Sequence, residues 1–518
     1  MSPEVVGEDL PLWNAHQGSA DEKLVRSRYV QTAGLSEGAV AWHSLFGSPQ
    51  VLSPATLEVL GYFDTSHTIA DLSSEYELEA DAGDVLGALR TSHFLVPENY
   101  DERSTFVRQG IAHAHEAAIG RGLHSFSFVM AETCNFACRY CMHFKNLAWS
   151  SRGARPRVMT PLDGVRYATV LIDFLRSADV AAIELNFGGG EPLLAWPAIL
   201  AVLEYCSTRR GDVDVSFSIN TNAALITPEI AECLAAHRVQ VASSLDGPRR
   251  ANDLVRRTAA GDPTYDAIRN GHRALREVGY PLTGFSVTLD ETNWNLVDEG
   301  FVEWAGTEGF RDLRVDVDVT TMPSVSLEEV VSRLMRLKTT AAGYGLTLTG
   351  FWERPIENMN ESPLETSVAF CGAMRGNGLC VNPAGDLYIC GYSTTLLGHI
   401  SRIQECFQSG SSYHRVLKEN APGAQADCTD CSIEGPCGGG CLISREFASK
   451  EQNAGLNRRC EFYRRMSKEL LVRRAEAFET VLEKERGKEV LRHEETSHLS
   501  RRTAVTARPR PEHVPEEE

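Results

Sequence analysis

Apolar residues fall along this chain in three successive patterns. Between Arg28 and Pro97, two short apolar stretches (Tyr29–Gln31 and Ala39–Leu45) come first. LSPATLEVLGYF, TIADLSSEY and AGDVLGALRTSHFL follow, with apolar positions at helical spacing. Ser53 and Asp81 stand where the N-caps of the first and third would lie. Strands followed by three short helices predict a small winged-helix-like module over 23–115, behind a flexible N-terminus of residues 1–22. From Ser125 the pattern changes. Strand candidates at Ser125–Met130, Ala182–Phe187, Val213–Ile219, Val239–Leu245, Thr283–Leu289 and Leu313–Val319 alternate with helical stretches such as Pro161–Ser177, Pro228–His237, Tyr265–Val278 and Leu327–Ala342. Six β-then-α units imply an α/β domain over 116–345, with a parallel sheet and right-handed crossovers. Six units rather than eight imply a partial, TIM-like (β/α)6 barrel, whose site would lie on the loops after the strands.

The third pattern begins near Ala369, where regular alternation stops and Gly, Pro and Cys dominate as far as Cys460. Such a segment struggles to build an apolar core, so bound metal is expected to stabilise the region 346–466. A charged C-terminal helix over 467–490 and a disordered tail over 491–518 complete the expected layout.

At 518 residues the chain is too long for one compact core, and its 42% hydrophobic and 23% charged content is that of a globular protein. The net charge of −19 argues against a broad nucleic-acid surface. No run of about 18 apolar residues predicts a membrane span. The N-terminus lacks an apolar signal-like stretch, so a cytoplasmic protein is expected. The fourteen cysteines sharpen the picture. None precedes Cys134, three fall within eight residues, and nine lie between Cys371 and Cys460. Clustering at short spacing favours metal over a disulfide framework.

The first cluster, ETCNFACRYCMHF, directly follows the first strand of the alternating region, with Cys134, Cys138 and Cys141 separated by three and two residues. Three thiolates on one loop can hold three irons of a [4Fe–4S] cube and leave the fourth open. The competing reading is a zinc knuckle, for which His143 is poorly spaced as a fourth ligand. The spacing, with Tyr140 before the last cysteine, resembles that of the radical S-adenosylmethionine (SAM) superfamily. NFGGGEPLL ends the second strand, SINTNAALI the third, and SSLDGPRRANDLVRR follows the fourth. The resemblance implies that the backbone of Gly189, Gly190, Glu191 and Pro192, with the Glu191 side chain, meets the SAM amino group. It makes Ser244 and Arg256 candidates for the SAM carboxylate and ribose. An ordinary ion pair is the alternative for Arg256, and Asp246 reads as a turn residue beside Gly247. The implied chemistry is reductive cleavage of SAM to a 5′-deoxyadenosyl radical that abstracts a hydrogen atom. An external one-electron reductant of the flavodoxin or ferredoxin type would be needed.

Downstream, thirteen residues separate Cys371 from Gly385 and four separate Gly385 from Cys390. Cys428, Cys431, Cys437 and Cys441 are separated by two, five and three, and Cys460 comes last. This layout resembles the SPASM domain, which binds two auxiliary [4Fe–4S] clusters, for three in all. The resemblance implies one set of Cys371, Cys390 and Cys441 and another of Cys428, Cys431, Cys437 and Cys460. Cys380 is a candidate fourth ligand of the first set and equally a core thiol. PAGDLY reads as a hairpin turn that brings Cys371 and Cys390 together. Cys206, Cys233 and Cys406 stand alone and read as core cysteines.

SPASM-containing radical SAM enzymes mostly act on peptides or proteins, and the N-terminal unit resembles the PqqD-like recognition domain of ribosomal peptide maturases. Together these imply an oxidoreductase that holds a precursor peptide by its leader and forms a thioether or carbon–carbon crosslink. The chain also resembles anaerobic sulfatase-maturating enzymes. There the residue after the cysteine matching Cys390 is a catalytic Asp; here it is Gly391. A non-catalytic multi-cluster electron carrier would explain the cysteines but not Gly189–Pro192.

Overall fold

The computed structural model describes residues 21–77, 82–141, 155–208, 213–360, 369–451, 453–492 and 508–509. The expected cap Asp81, the N-terminus 1–20 and most of the tail lie outside them. Within the tail, Arg508–Pro509 pairs antiparallel with Tyr76–Glu77.

The N-terminal unit contains strands β1 (Leu24–Arg26), β2 (Val30–Gly34), β3 (Ala39–His43) and β4 (Gly47–Leu52). Helices α1 (Pro54–Tyr62), α2 (Ile69–Glu75) and α3 (Ala82–Thr91) follow, then the short strand β5 (Leu95–Pro97), which pairs with β1. β2, β3 and β4 form an antiparallel meander. Ser53 caps α1 by accepting from the Thr56 N–H. One face of the meander (Val30, Ala41, Leu52) packs on the helices through Leu60, Phe63 and Leu86. The opposite face (Ala33, Val40, Trp42) joins the core of the barrel. The linker helix α4 (Glu102–Ala117) is pinned at its start, where Glu102 accepts from the Ser27 hydroxyl at 2.8 Å and pairs with His43 at 2.8 Å in a buried network. Ser27, His43 and Glu102 thus tie the module to the chain that leads into the barrel.

Strands β6 (Ser125–Ala131), β7 (Ala182–Gly189), β8 (Asp214–Thr221) and β9 (Gln240–Ser243) run parallel and in sequence order. Helices α5 (Pro161–Ser177), α6 (Trp196–Thr208) and α7 (Pro228–Ala236) connect them. After α8 (Arg249–Val255) and α9 (Tyr265–Glu277) come β10 (Gly284–Leu289), α10 (Glu299–Thr307), β11 (Asp312–Val317) and α11 (Leu327–Gly343). β10 and β11 are parallel, and a single parallel bridge from Ser244 to Ser286 joins them to the first four strands. All six expected strands are therefore present, with the hydrogen bonding interrupted between the fourth and fifth. A further strand, β12 (Thr347–Thr349), adds in parallel to β11 and was not expected from the sequence. Three residues are too short to show alternation.

The C-terminal region completes the other edge. Strand β13 (Gly378–Val381) pairs in parallel with β6, and β14 (Asp386–Tyr388) folds back on it as a hairpin, with Gly385 at φ +89° in the turn. The Cys-rich segment thus begins as an extension of the barrel sheet. Its later loops rest on the N-terminal module: the Trp42 indole donates to the Ser432 carbonyl at 2.8 Å, and the Gly435 N–H to that of Ser44 at 2.9 Å. Helix α12 (Leu442–Glu451) precedes α13 (Asn453–Arg492), which starts earlier than expected and carries Cys460. Phe462, Met466 and Leu470 bury one stripe of α13 in the barrel core, which is why a strongly charged helix is anchored there.

Candidate functional site

The loop after β6 carries the cysteine triad, and short bonds hold it from both sides. The Gly190 N–H donates to the Ala131 carbonyl at 2.8 Å and the Glu191 N–H to that of Thr133 at 3.0 Å. Farther along, the Ala137 and Arg139 N–H groups donate to the carbonyls of Arg257 and Val255 at 2.7 and 3.0 Å. Gly189 sits at φ +119°, and a Cβ there would stand 2.5 Å from the Ala131 oxygen. Only glycine lets the end of β7 lie this close to the end of β6.

The Glu191 carboxylate is fully buried. It accepts from the Thr221 hydroxyl at 2.7 Å and from the N–H groups of Asn222 and Leu193 at 2.8 and 3.1 Å. Burial raises its pKa, opposed by these three donors. These contacts clasp the ends of β7 and β8. The Asn222 amide in turn reaches the Asn135 side chain at 2.8 Å and the Cys134 sulfur at 3.8 Å.

Arg256 and Asp246 pair with each other beside the triad. Arg256 is buried, its Nε donating to Asp246 at 2.6 Å and its Nη1 lying 3.8 Å from the Cys138 sulfur. Asp246 is wholly buried, accepting in addition from the Tyr140 hydroxyl and, at 2.9 Å, from the Thr288 N–H. Asp246 is therefore the anionic centre of a brace that includes Tyr140, Arg256 and the strand end of β10, and not only a turn residue. Ser244 is half-buried in the row that crosses the sheet through Ser286, Arg314 and Thr349.

That row lies on the sheet face opposite the apolar core. Leu313 and Val315 bury their side chains in the core, so alternation turns Arg314 and Asp316 to the opposite face. The Arg314 Nε donates to Asp316 at 2.9 Å, its guanidinium lies 4.1 Å over the Phe351 ring, and the Phe351 N–H donates to Asp316 at 2.8 Å. Burial raises the Tyr392 pKa to about 12, with Cys141, Cys390 and Cys380 adding to it and Arg314 opposing it, so these side chains lie in one neighbourhood. No reading of the sequence singled out Arg314, Asp316 or Tyr392, because nothing local distinguishes them.

The thiols suit iron–sulfur ligation in their chemistry. Burial pushes Cys134 up to about 12, with Glu191, Cys138 and Cys141 adding to it, and Cys138 up to about 11, with Asp246 and Cys141 adding to it and Arg256 opposing it. Such thiols stay protonated until a cation displaces the proton. The C-terminal cysteines separate into two electrostatic neighbourhoods. Burial pushes Cys390 up to about 12, with Cys441 and Cys371 adding to it. Cys428, Cys431 and Cys460 act in the same way on Cys437, which burial raises further. Cys380 is buried in β13 and feels Cys390 alone among the thiols, as a core thiol behind that cysteine does. Cys206 and Cys406 are buried and Cys233 is partly so. Among the described residues no three Cys, His, Asp or Glu side chains converge on a point where a single metal ion would sit. In a four-iron cube each thiolate instead meets its own iron.

Residues 128–299 match the model of the Radical SAM superfamily. That family binds a [4Fe–4S] cluster and SAM. Beyond the domain, the chain is 23% identical over 475 residues to the radical SAM cyclopropyl synthase TigE of Paramaledivibacter caminithermalis. That alignment spans 88% of this chain and 97% of the relative. It is 28% identical over 278 residues to an uncharacterised protein of Methanocaldococcus jannaschii, spanning 52% of this chain and 85% of that one. Among solved structures, native anSMEcpe with bound AdoMet superposes with a TM-score of 0.53 at 17% identity, covering 68% of this chain and 99% of that one. This last likeness establishes the fold. Among the described residues no helix is long and apolar enough to cross a membrane.

Proposed function

We propose that this radical SAM enzyme closes a carbon–carbon bond within a ribosomally made precursor peptide, with two auxiliary [4Fe–4S] clusters beside the SAM cluster. The observation that carries the reading is the mutual electrostatic influence of the cysteines, which supports sets of three, three and four. The near end-to-end similarity to a cyclopropyl synthase supports carbon–carbon over thioether closure. The N-terminal meander supports a peptide substrate. β4 is an edge strand with Val51 exposed, and such an edge can accept an added strand of a leader.

When bound, the SAM cluster and SAM supply a 5′-deoxyadenosyl radical able to take a hydrogen atom from an unactivated carbon. Cys134, Cys138 and Cys141 hold the cluster. The Gly189–Gly190 backbone lies at the adjoining strand end, positioned by Glu191, and Asp246 keeps Arg256 and Tyr140 against the triad. Arg314 and Asp316 present a fixed polar surface to the substrate. Closing a bond between two saturated carbons removes two hydrogens: one as an atom, the other as a proton plus an electron that passes to a one-electron acceptor. Gly391 sits where the sulfatase-maturating enzymes carry a base. A Cβ there would meet only Val129 and Cys380 at 3.7 and 3.8 Å, so space does not explain its absence. This favours bond closure over formylglycine-type oxidation.

The test is co-expression with short peptides encoded beside the gene. A mass loss of two hydrogens per closed bond, located to carbons by fragmentation, is expected. An unchanged peptide mass together with vigorous SAM cleavage would contradict the assignment.

A further inference from the structure

We propose that Arg445 is a positioning residue that raises the reduction potential of the second auxiliary cluster, the one on Cys428, Cys431, Cys437 and Cys460. The inference rests on the reading above that these four thiols hold a cluster. Arg445 lies on α12, four residues after Cys441. Its Nη2 donates to the Asn420 side chain at 2.6 Å. Its Nε and Nη1 are buried and meet no protein acceptor. A buried donor left unmade is costly, more so when charged, so two on one guanidinium call for an acceptor.

The surroundings supply one. Cys428, Cys437 and Cys460 of the second set, with Cys441 of the first, are the thiols that act on the guanidinium. On the opposite side the chain makes room by omission. Gly438, Gly439 and Gly440 all have positive φ, and a Cβ at Gly439 would stand 2.8 Å from Nη1. The missing Cβ at Gly439 leaves room for the guanidinium beside the loop.

The other cations near this set are already engaged. Arg464 also reaches Cys431 but shares Glu461 with Arg465, Arg459 lies 3.7 Å from Asp318, and Arg103 neutralises Glu434. Arg445 alone has no carboxylate partner among the described residues, so its full positive charge acts on the thiolates and sulfides. N–H donors and positive charge both favour the reduced, more negative cluster. An electron shared between the two auxiliary clusters would then rest on the second.

The test is potentiometric titration, followed by electron paramagnetic resonance, of the anaerobically reconstituted full-length chain and its Arg445→Met and Arg445→Gln variants. At a fixed poise the reduced-to-oxidised ratio of one auxiliary signal is expected to fall at least about tenfold in Arg445→Met, equal to 59 mV for one electron. Arg445→Gln, which keeps N–H donors without the charge, should fall less. Unmoved potentials with the iron content intact would overturn the role of Arg445. Wild-type protein with iron for only one cluster would instead overturn the assignment of auxiliary clusters.

Discussion

Replacing Asp246 by Asn removes one charge from the buried brace without changing its shape. Arg256 then keeps its guanidinium in a site that is 7% exposed, with its carboxylate partner gone. Breaking a buried pair by deleting one partner costs about 3–5 kcal/mol. A chain of 518 residues is not expected to unfold in one step, so a global midpoint would blur the effect. A local measure suits it better. The Ala137 and Arg139 amides tie the cysteine loop to the end of α8, next to Arg256. Their hydrogen exchange reports the free energy of opening that loop. At about 1.4 kcal/mol per decade, the loss should appear as exchange faster by roughly two to three and a half orders of magnitude. The double variant Asp246→Asn with Arg256→Met removes both charges and should recover most of the protection. Acceleration below tenfold, or a double variant no better than the single one, would refute the brace.

Gly189→Ala should push the end of β7 off the Ala131 carbonyl, at a strain of about 1–3 kcal/mol. Equilibrium binding of SAM to the reconstituted protein should weaken at least tenfold while iron content holds. Cys380→Ala should keep the wild-type iron content, because Cys380 packs as a core thiol, whereas Cys390→Ala should lose iron; elemental analysis separates the two. Burial, with Arg269 and Arg276 adding to it, lowers the His272 pKa to about 3. Its folded pKa lies below the unfolded value of about 6.5, so its stabilisation is full above pH 6.5 and is lost as pH falls toward 3. At pH 5 the loss is about 2 kcal/mol. Local unfolding around α9 should steepen with acid in the wild type and less so in His272→Gln.

Much of this organisation could be read along the chain because it is written in short-range patterns. The strands of the barrel alternate or run apolar over four to eight residues, and the cysteine spacings place three thiols on one loop. What escaped the reading depends on contacts between distant segments. Asp246 meets Tyr140 across 106 positions, and a DG pair looks like a turn from either side. β13 joins β6 although more than 240 residues lie between them, and nothing in GLCV marks that partner. Glu191 follows two glycines that the backbone requires. Only the fold shows that its carboxylate is spent on Thr221 and Asn222. Arg445 stands out solely through what its nitrogens lack.

The most direct measurement is the electron paramagnetic resonance spectrum of anaerobically rebuilt, dithionite-reduced protein with and without SAM, read beside 5′-deoxyadenosine release. Iron near twelve atoms per chain, one cluster signal that shifts on adding SAM, and release that vanishes in the Cys134→Ala, Cys138→Ala, Cys141→Ala triple variant are the expected outcome. Zinc in place of iron, a spectrum indifferent to SAM, or release that survives the triple variant would contradict it.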